Sequence, residues 1–266
     1  MAKISDEDRH LYQQKTKVYR DNINAILTRE KNILTLIQSD PHGIPYKKIT
    51  LAEEMLNLAS NYIIINNISQ AMLNVKNEEY LNDGRKSLYK SVIYLEEIVT
   101  NYIDVPFSDY DEKVAELQSM DAARRYLLMR KMGLAIQLIE NAYGDNTKWR
   151  WAFVELEARF ATVSKNIFDM KNAFTNTDPR SPNYEPTVYH LRMIKKLLMQ
   201  SADRYREKYE LSTNRIDDFK LAISYLGSLK RIHILMGERE EAETVKKKQE
   251  IWSAKLEADI KRNDGK

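Results

Sequence analysis

From Trp149 to Phe174 the large apolar residues fall at Trp149, Phe153, Leu156, Phe160, Val163, Ile167, Met170 and Phe174, spaced alternately four and three apart. On an α-helix that alternation puts them on one stripe and leaves Arg150, Glu155, Glu157, Arg159, Lys165 and Lys171 to the other side. Trp and Phe make up half of the stripe. Such rings are too wide for a two-stranded zipper built on Ile, Val and Leu, so several helices must converge on this one.

The remaining sequence repeats the pattern. With only seven Gly and six Pro in 266 residues, a turn-dense β architecture is disfavoured and the chain reads as all-α. Ser5 and Asp8 form a capping-box signature for a first helix, which Asp40 to Pro45 stops. Thr50 and Glu53 repeat the signature for a second helix, ended by Asn82-Asp83-Gly84. A third helix carries Leu88 to Tyr102 and closes before Pro106. Ser108 and Asp111 start a fourth, carried as one helix to Tyr143-Gly144-Asp145-Asn146, with Met120-Asp121 the place where a break could fall. After Trp149 to Phe174 comes a loop at 176–186 holding Pro179, Pro182 and Pro186; any subdomain boundary would fall there. Further helices carry Val188 to Tyr209, Ile216 to Gly237 and Ala242 to Leu256, before a fraying polar tail at 263–266. The expectation is one domain, 1–266, of about eight long antiparallel helices packed as hairpins, in a closed bundle or an open array.

In the last hairpin Leu226, Leu229, Gly237 and Ala242 follow one another, and Tyr89 to Val99 places Ser91 ahead of Leu95 and Ile98. These two stretches, parts of 87–103 and 226–250, resemble tetratricopeptide-type helical-hairpin repeats, in which a turn glycine and a small residue let two helices approach closely. The resemblance implies an array with a concave binding face. Departures from the motif fall at His233, Lys246 and Gln249.

Whole classes of chemistry are disfavoured by what the chain contains. There is no cysteine, so disulfides, thiolate metal sites and cysteine nucleophiles are excluded. The start, with Asp6, Glu7, Asp8 and Arg9, has no apolar run suited to a signal peptide, and Tyr62 to Ile65 is too short to cross a bilayer. A cytoplasmic setting follows as the simplest expectation. The four histidines, His10, His42, His190 and His233, lack ligand spacing, so no metal or other cofactor is expected. Ser87 and Lys90 have S-x-x-K spacing without any accompanying motif, and no catalytic residue is assigned.

The basic clusters carry the strongest binding signal: Arg124, Arg125, Arg130 and Lys131, then Lys195 and Lys196 followed by Arg204, Arg206 and Lys208, then Lys246 to Lys248. Converging, they would hold a phosphate-bearing ligand or an acidic peptide. Sixteen tyrosines are expected mostly at stripe edges with their hydroxyls in water. The function that fits best is a non-enzymatic scaffold or adaptor for another protein or a second copy of itself. The alternative is a nucleic-acid or phosphate-binding helical domain acting through the basic clusters.

Overall fold

The computed structural model describes residues 5–144 and 147–264, with side chains to 262. Among these residues the chain is all-helical, with no strand. The expected tail at 263–266 and the Asp145-Asn146 part of the turn after Tyr143 lie wholly or largely outside the described residues. The α-helices are α1 (Asp6–Ser39), α2 (Ile44–Leu73), α3 (Glu78–Val99), α4 (Asp111–Ala115), α5 (Ala122–Tyr143), α6 (Arg150–Asn166), α7 (Met170–Asn176), α8 (Tyr184–Lys208), α9 (Ile216–Leu235) and α10 (Arg239–Asp264).

Ten helices replace the expected eight because two long ones divide. Asp121 caps α5 by accepting from the Arg124 N–H at 2.7 Å, which separates α5 from the short α4. The Trp149–Phe174 stripe breaks at 167–169, where Asp169 accepts from the Asn172 N–H and starts α7. Phe153, Leu156, Phe160, Val163 and Ile167 are buried as the spacing requires, but Phe174, beyond the break, is 78 % exposed.

The chain divides into two compact units, Met1–Ile98 with Leu128–Trp149, and Val99–Leu127 with Arg150–Lys266. The proline-bearing loop 176–186 lies within the second.

In the first unit, Ser5 and Asp8 make the reciprocal capping box, and α1 packs along α2 through Ile23, Ile26, Met55, Leu58, Tyr62 and Ile65. The second helix starts earlier than Thr50, at Ile44, because Gly43 turns the chain at φ 63° and Pro45 suits a first turn. It also ends earlier, at Asn74 (φ 51°). Asn82-Asp83-Gly84 therefore lies inside α3 rather than between helices. Gly84 is there for closeness: a Cβ would stand 2.9 Å from Ile139 Cδ1 and 3.5 Å from Tyr62 Cβ. Asn66 is buried and its side-chain oxygen accepts from the Asn77 N–H at 2.9 Å, just ahead of α3. Buried Glu30 ties α1 to α3 by accepting from Lys90 at 3.1 and 3.3 Å and from the Tyr94 hydroxyl at 2.8 Å.

In the second unit α8 packs on α6 and α9, and α10 on α9. Tyr205 stacks on Tyr225 and Tyr209 on Phe219, all four buried, so these tyrosines serve the core rather than its wet edge. The Tyr225 hydroxyl donates to the Ala158 carbonyl at 2.9 Å, as a buried phenol must to avoid an unmade bond. Gly237 ends α9 at φ 74°, and Ala242 is buried on α10. His233 is buried, and its Nδ1 meets the Glu238 carboxylate at 2.6 Å.

A strap without regular structure, 100–106, crosses this unit. Asn166 donates to the Thr100 carbonyl at 2.9 Å, holding Thr100 at φ 112°, a conformation a β-branched residue rarely takes. Asp104 Oδ1 accepts from Arg231 at 3.0 and 3.1 Å, and its other oxygen lies where a Cβ on Gly227 would come within 2.2 Å. Gly227→Ala must therefore displace Asp104. The helix-propensity gain of about 1 kcal/mol is outweighed by the lost charged bonds, so a net loss of about 1 to 2 kcal/mol is expected in urea melts. Asp104→Ala should cost much less in the Gly227→Ala background than in wild type; equal costs would mean the two positions are uncoupled.

Candidate functional site

The second unit carries a cleft of about 660 Å³. One wall is Phe107 with Asp111 and Glu112 of α4; the other is Lys171, Asn172 and Thr175 of α7. Two features of the local sequence open it. The Asp121 cap begins α5 and the Asp169 cap begins α7, so the short helices α4 and α7 stand apart from the long ones beside them. Its floor is Met120 and Arg125.

Arg125 is only 3 % exposed. Its Nε donates to the Met120 carbonyl at 2.8 Å, Nη1 to Ile167 at 2.9 Å and Nη2 to Leu117 at 2.9 Å. A planar guanidinium can satisfy three carbonyls converging from different segments where an ammonium cannot. Arg125 was a candidate ligand-binding cation; here its donors point into the protein backbone. Four carboxylates, Asp111, Glu112, Asp121 and Asp169, line the cleft against Arg125 and Lys171, so its field favours cations.

Behind the floor, His190 is buried between Arg125, Phe168 and Thr187 around a void of about 10 Å³, room for roughly one water. Its Nε2 lies 3.0 Å from the Ser164 carbonyl, and burial pushes its pKa down to about 3, so the ring is neutral at pH 7. Among the described residues no group of three or more His, Asp or Glu could hold a metal ion.

The other sequence candidates are placed as follows. Arg124 is exposed near the start of α5, in the second unit, and Arg130 and Lys131 are exposed on α5 in the first. Lys195 makes an ion pair with Glu238 at 2.5 Å, and Lys196 is exposed. Arg204 pairs with Glu157, Arg206 with Glu210, Lys208 with Asp218 and Lys248 with Asp203. The clusters on α8 and α10 are thus largely engaged by carboxylates of their own unit.

One chemically distinctive residue lay on the side of the stripe read as polar. Lys165 is 3 % exposed, its ammonium 5.0 Å from the centre of the Tyr110 ring. Burial lowers its pKa to about 8, with Asp104 opposing and Arg231 adding to the shift. The strap 100–106 approaches the end of α6 through Asn166, and Tyr110 closes over the lysine. Periodicity within α6 carries no sign of either.

Residues 8–260 match the model of the TP0443 family, so the chain belongs to that family. No curated protein and no solved structure shows significant similarity to it.

Proposed function

We propose that this TP0443 family member is a helical adaptor without catalytic chemistry of its own, whose second unit receives a cationic segment of another protein in the cleft between α4 and α7. The supporting observation is the lining of that cleft. Asp111 and Glu112 stand exposed on one wall, Asn172 and Thr175 line the other, and the floor cation is tied to three backbone carbonyls. Lysine or arginine side chains entering there would find acceptors, and Phe107 beside Asp111 offers an apolar contact for their stems. The exposed ring of Phe174 on α7 is the type of side chain that anchors protein contacts. No helix among the described residues is long and apolar enough to cross a membrane. The cytoplasm is the setting we favour for a chain without cysteine.

The nucleic-acid alternative draws less support, because Lys195, Arg204, Lys208 and Lys248 would each have to leave a carboxylate to reach a phosphate.

Calorimetric titration of the full chain with a Lys/Arg-rich peptide tests the proposal. Binding should weaken steeply with added salt, and Asp111→Lys with Glu112→Lys should reduce affinity by at least about tenfold at unchanged helicity. Equal binding by the double variant, or none at low salt, would count against a cationic guest.

A further inference from the structure

Within the first unit, α5 has two apolar faces where a surface helix normally has one. Met132, Ala135, Ile136 and Ile139 are buried, and Ile139 fills the space beside Gly84. On the outward side Leu134 is 57 % exposed and Leu138 44 % exposed. Arg130, Lys131, Gln137 and Asn141 are exposed around them. Positions 130, 131, 134, 137, 138 and 141 recur at one, three, three, one and three residues, which keeps them on a single helical stripe. That stripe carries two cations and no carboxylate; Glu140, the nearest acid in sequence, is half-buried on its flank.

We propose that this length of α5 is a docking face for an acidic amphipathic helix of a partner protein. Two half-exposed leucines one turn apart, bordered by cations without a carboxylate partner among the described residues, are complementary to a helix with apolar residues at i, i+3 or i+4 and i+7 edged by Glu or Asp. A second copy of the same face is a poor occupant. In a two-fold pairing Arg130 and Lys131 would meet Arg130 and Lys131, and nothing on the stripe would neutralise them. The proposal is independent of the α4–α7 cleft, which belongs to the other unit and has the opposite charge.

The test is fluorescence anisotropy of a labelled Leu/Glu-rich helical peptide titrated with the full chain at low salt. Binding is expected. Leu134→Ser with Leu138→Ser should weaken it by at least about thirtyfold, since both apolar contacts are lost. Arg130→Glu with Lys131→Glu should abolish it at low salt. All four positions are exposed, so circular dichroism should show unchanged helicity, and the cationic-peptide titration of the cleft should be unaffected. No peptide binding at low salt overturns the proposal, as does equal binding by the serine variant. Two other results overturn it by naming a different occupant: sedimentation with anionic vesicles that requires Leu134 and Leu138 while the peptide stays free, or a dimer in sedimentation velocity that the serine variant dissolves.

Discussion

Arg125→Met is expected to destabilise the second unit by about 3 to 5 kcal/mol, seen as a large drop in its urea midpoint. Methionine can fill the space of the arginine stem. It cannot donate, so the carbonyls of Met120 and Ile167 would lose the bonds the guanidinium gives them, and that of Leu117 would keep only the Met120 N–H at 2.9 Å. A buried acceptor left unmade costs about 1 to 3 kcal/mol, and water entering from the cleft would offset only part of that sum. Arg125→Lys should recover part of the loss, because one ammonium cannot reach three acceptors arranged for a planar fork. The same substitutions remove the floor on which α4 and the end of α6 are set, so affinity for a cationic peptide should fall with stability. If Arg125→Met melted within about 1 kcal/mol of wild type, the three carbonyls would have to find other donors and the guanidinium would not be the tie it is taken to be.

Arg125 also marks where reading along the chain stops being informative. As part of Arg124-Arg125 it looks like half of a basic patch, and only the fold separates an exposed Arg124 from a buried neighbour one residue on. Local signals fared well where the physics is local. The Ser5–Asp8 box, the stop at Asp40 to Pro45, the place allowed for a break at Met120-Asp121 and the turn glycine Gly237 all depend on a few consecutive residues. Gly84 failed as a stop signal because its role is set by Ile139 and Tyr62, far away in sequence. The 149–174 stripe was right in its centre but is not one helix: beyond Ile167 Asp169 competes for the backbone and starts a new helix, on which Met170 still packs against the core and Phe174 does not. The cleft was illegible for a related reason: its carboxylates come from 111–121 and 169, segments that periodicity assigns to two unrelated helices. Asp104 and Gly227, coupled across the strap, share no pattern at all in the sequence.

Lys165 leads to an unusual expectation: removing its charge should make the protein more stable. Its pKa falls from 10.5 to about 8 on burial. Between those values the unfolded chain holds the proton and the native state has lost it, so stability rises with pH across that window; below about pH 8 the penalty of the buried ammonium is present in full. A shift of this size corresponds to roughly 3 kcal/mol, with the Tyr110 ring and Asp104 already opposing it. Lys165→Met keeps a flexible stem of similar length in the same packing and should gain about 1 to 3 kcal/mol near pH 7, while Lys165→Arg keeps the charge and should gain nothing. Tyr110 moves the other way: burial raises its pKa to about 12, which makes stability fall once the unfolded phenol ionises above its ordinary value of 10.0. Lys48, whose pKa burial also lowers, contributes equally to both proteins, so in urea melts between pH 8 and roughly 9.5 the difference between wild type and Lys165→Met isolates Lys165. Wild type should stabilise across that interval more steeply than Lys165→Met. Parallel profiles for the two would place the ammonium in water after all, and with it the closure of Tyr110 over the end of α6 would be refuted.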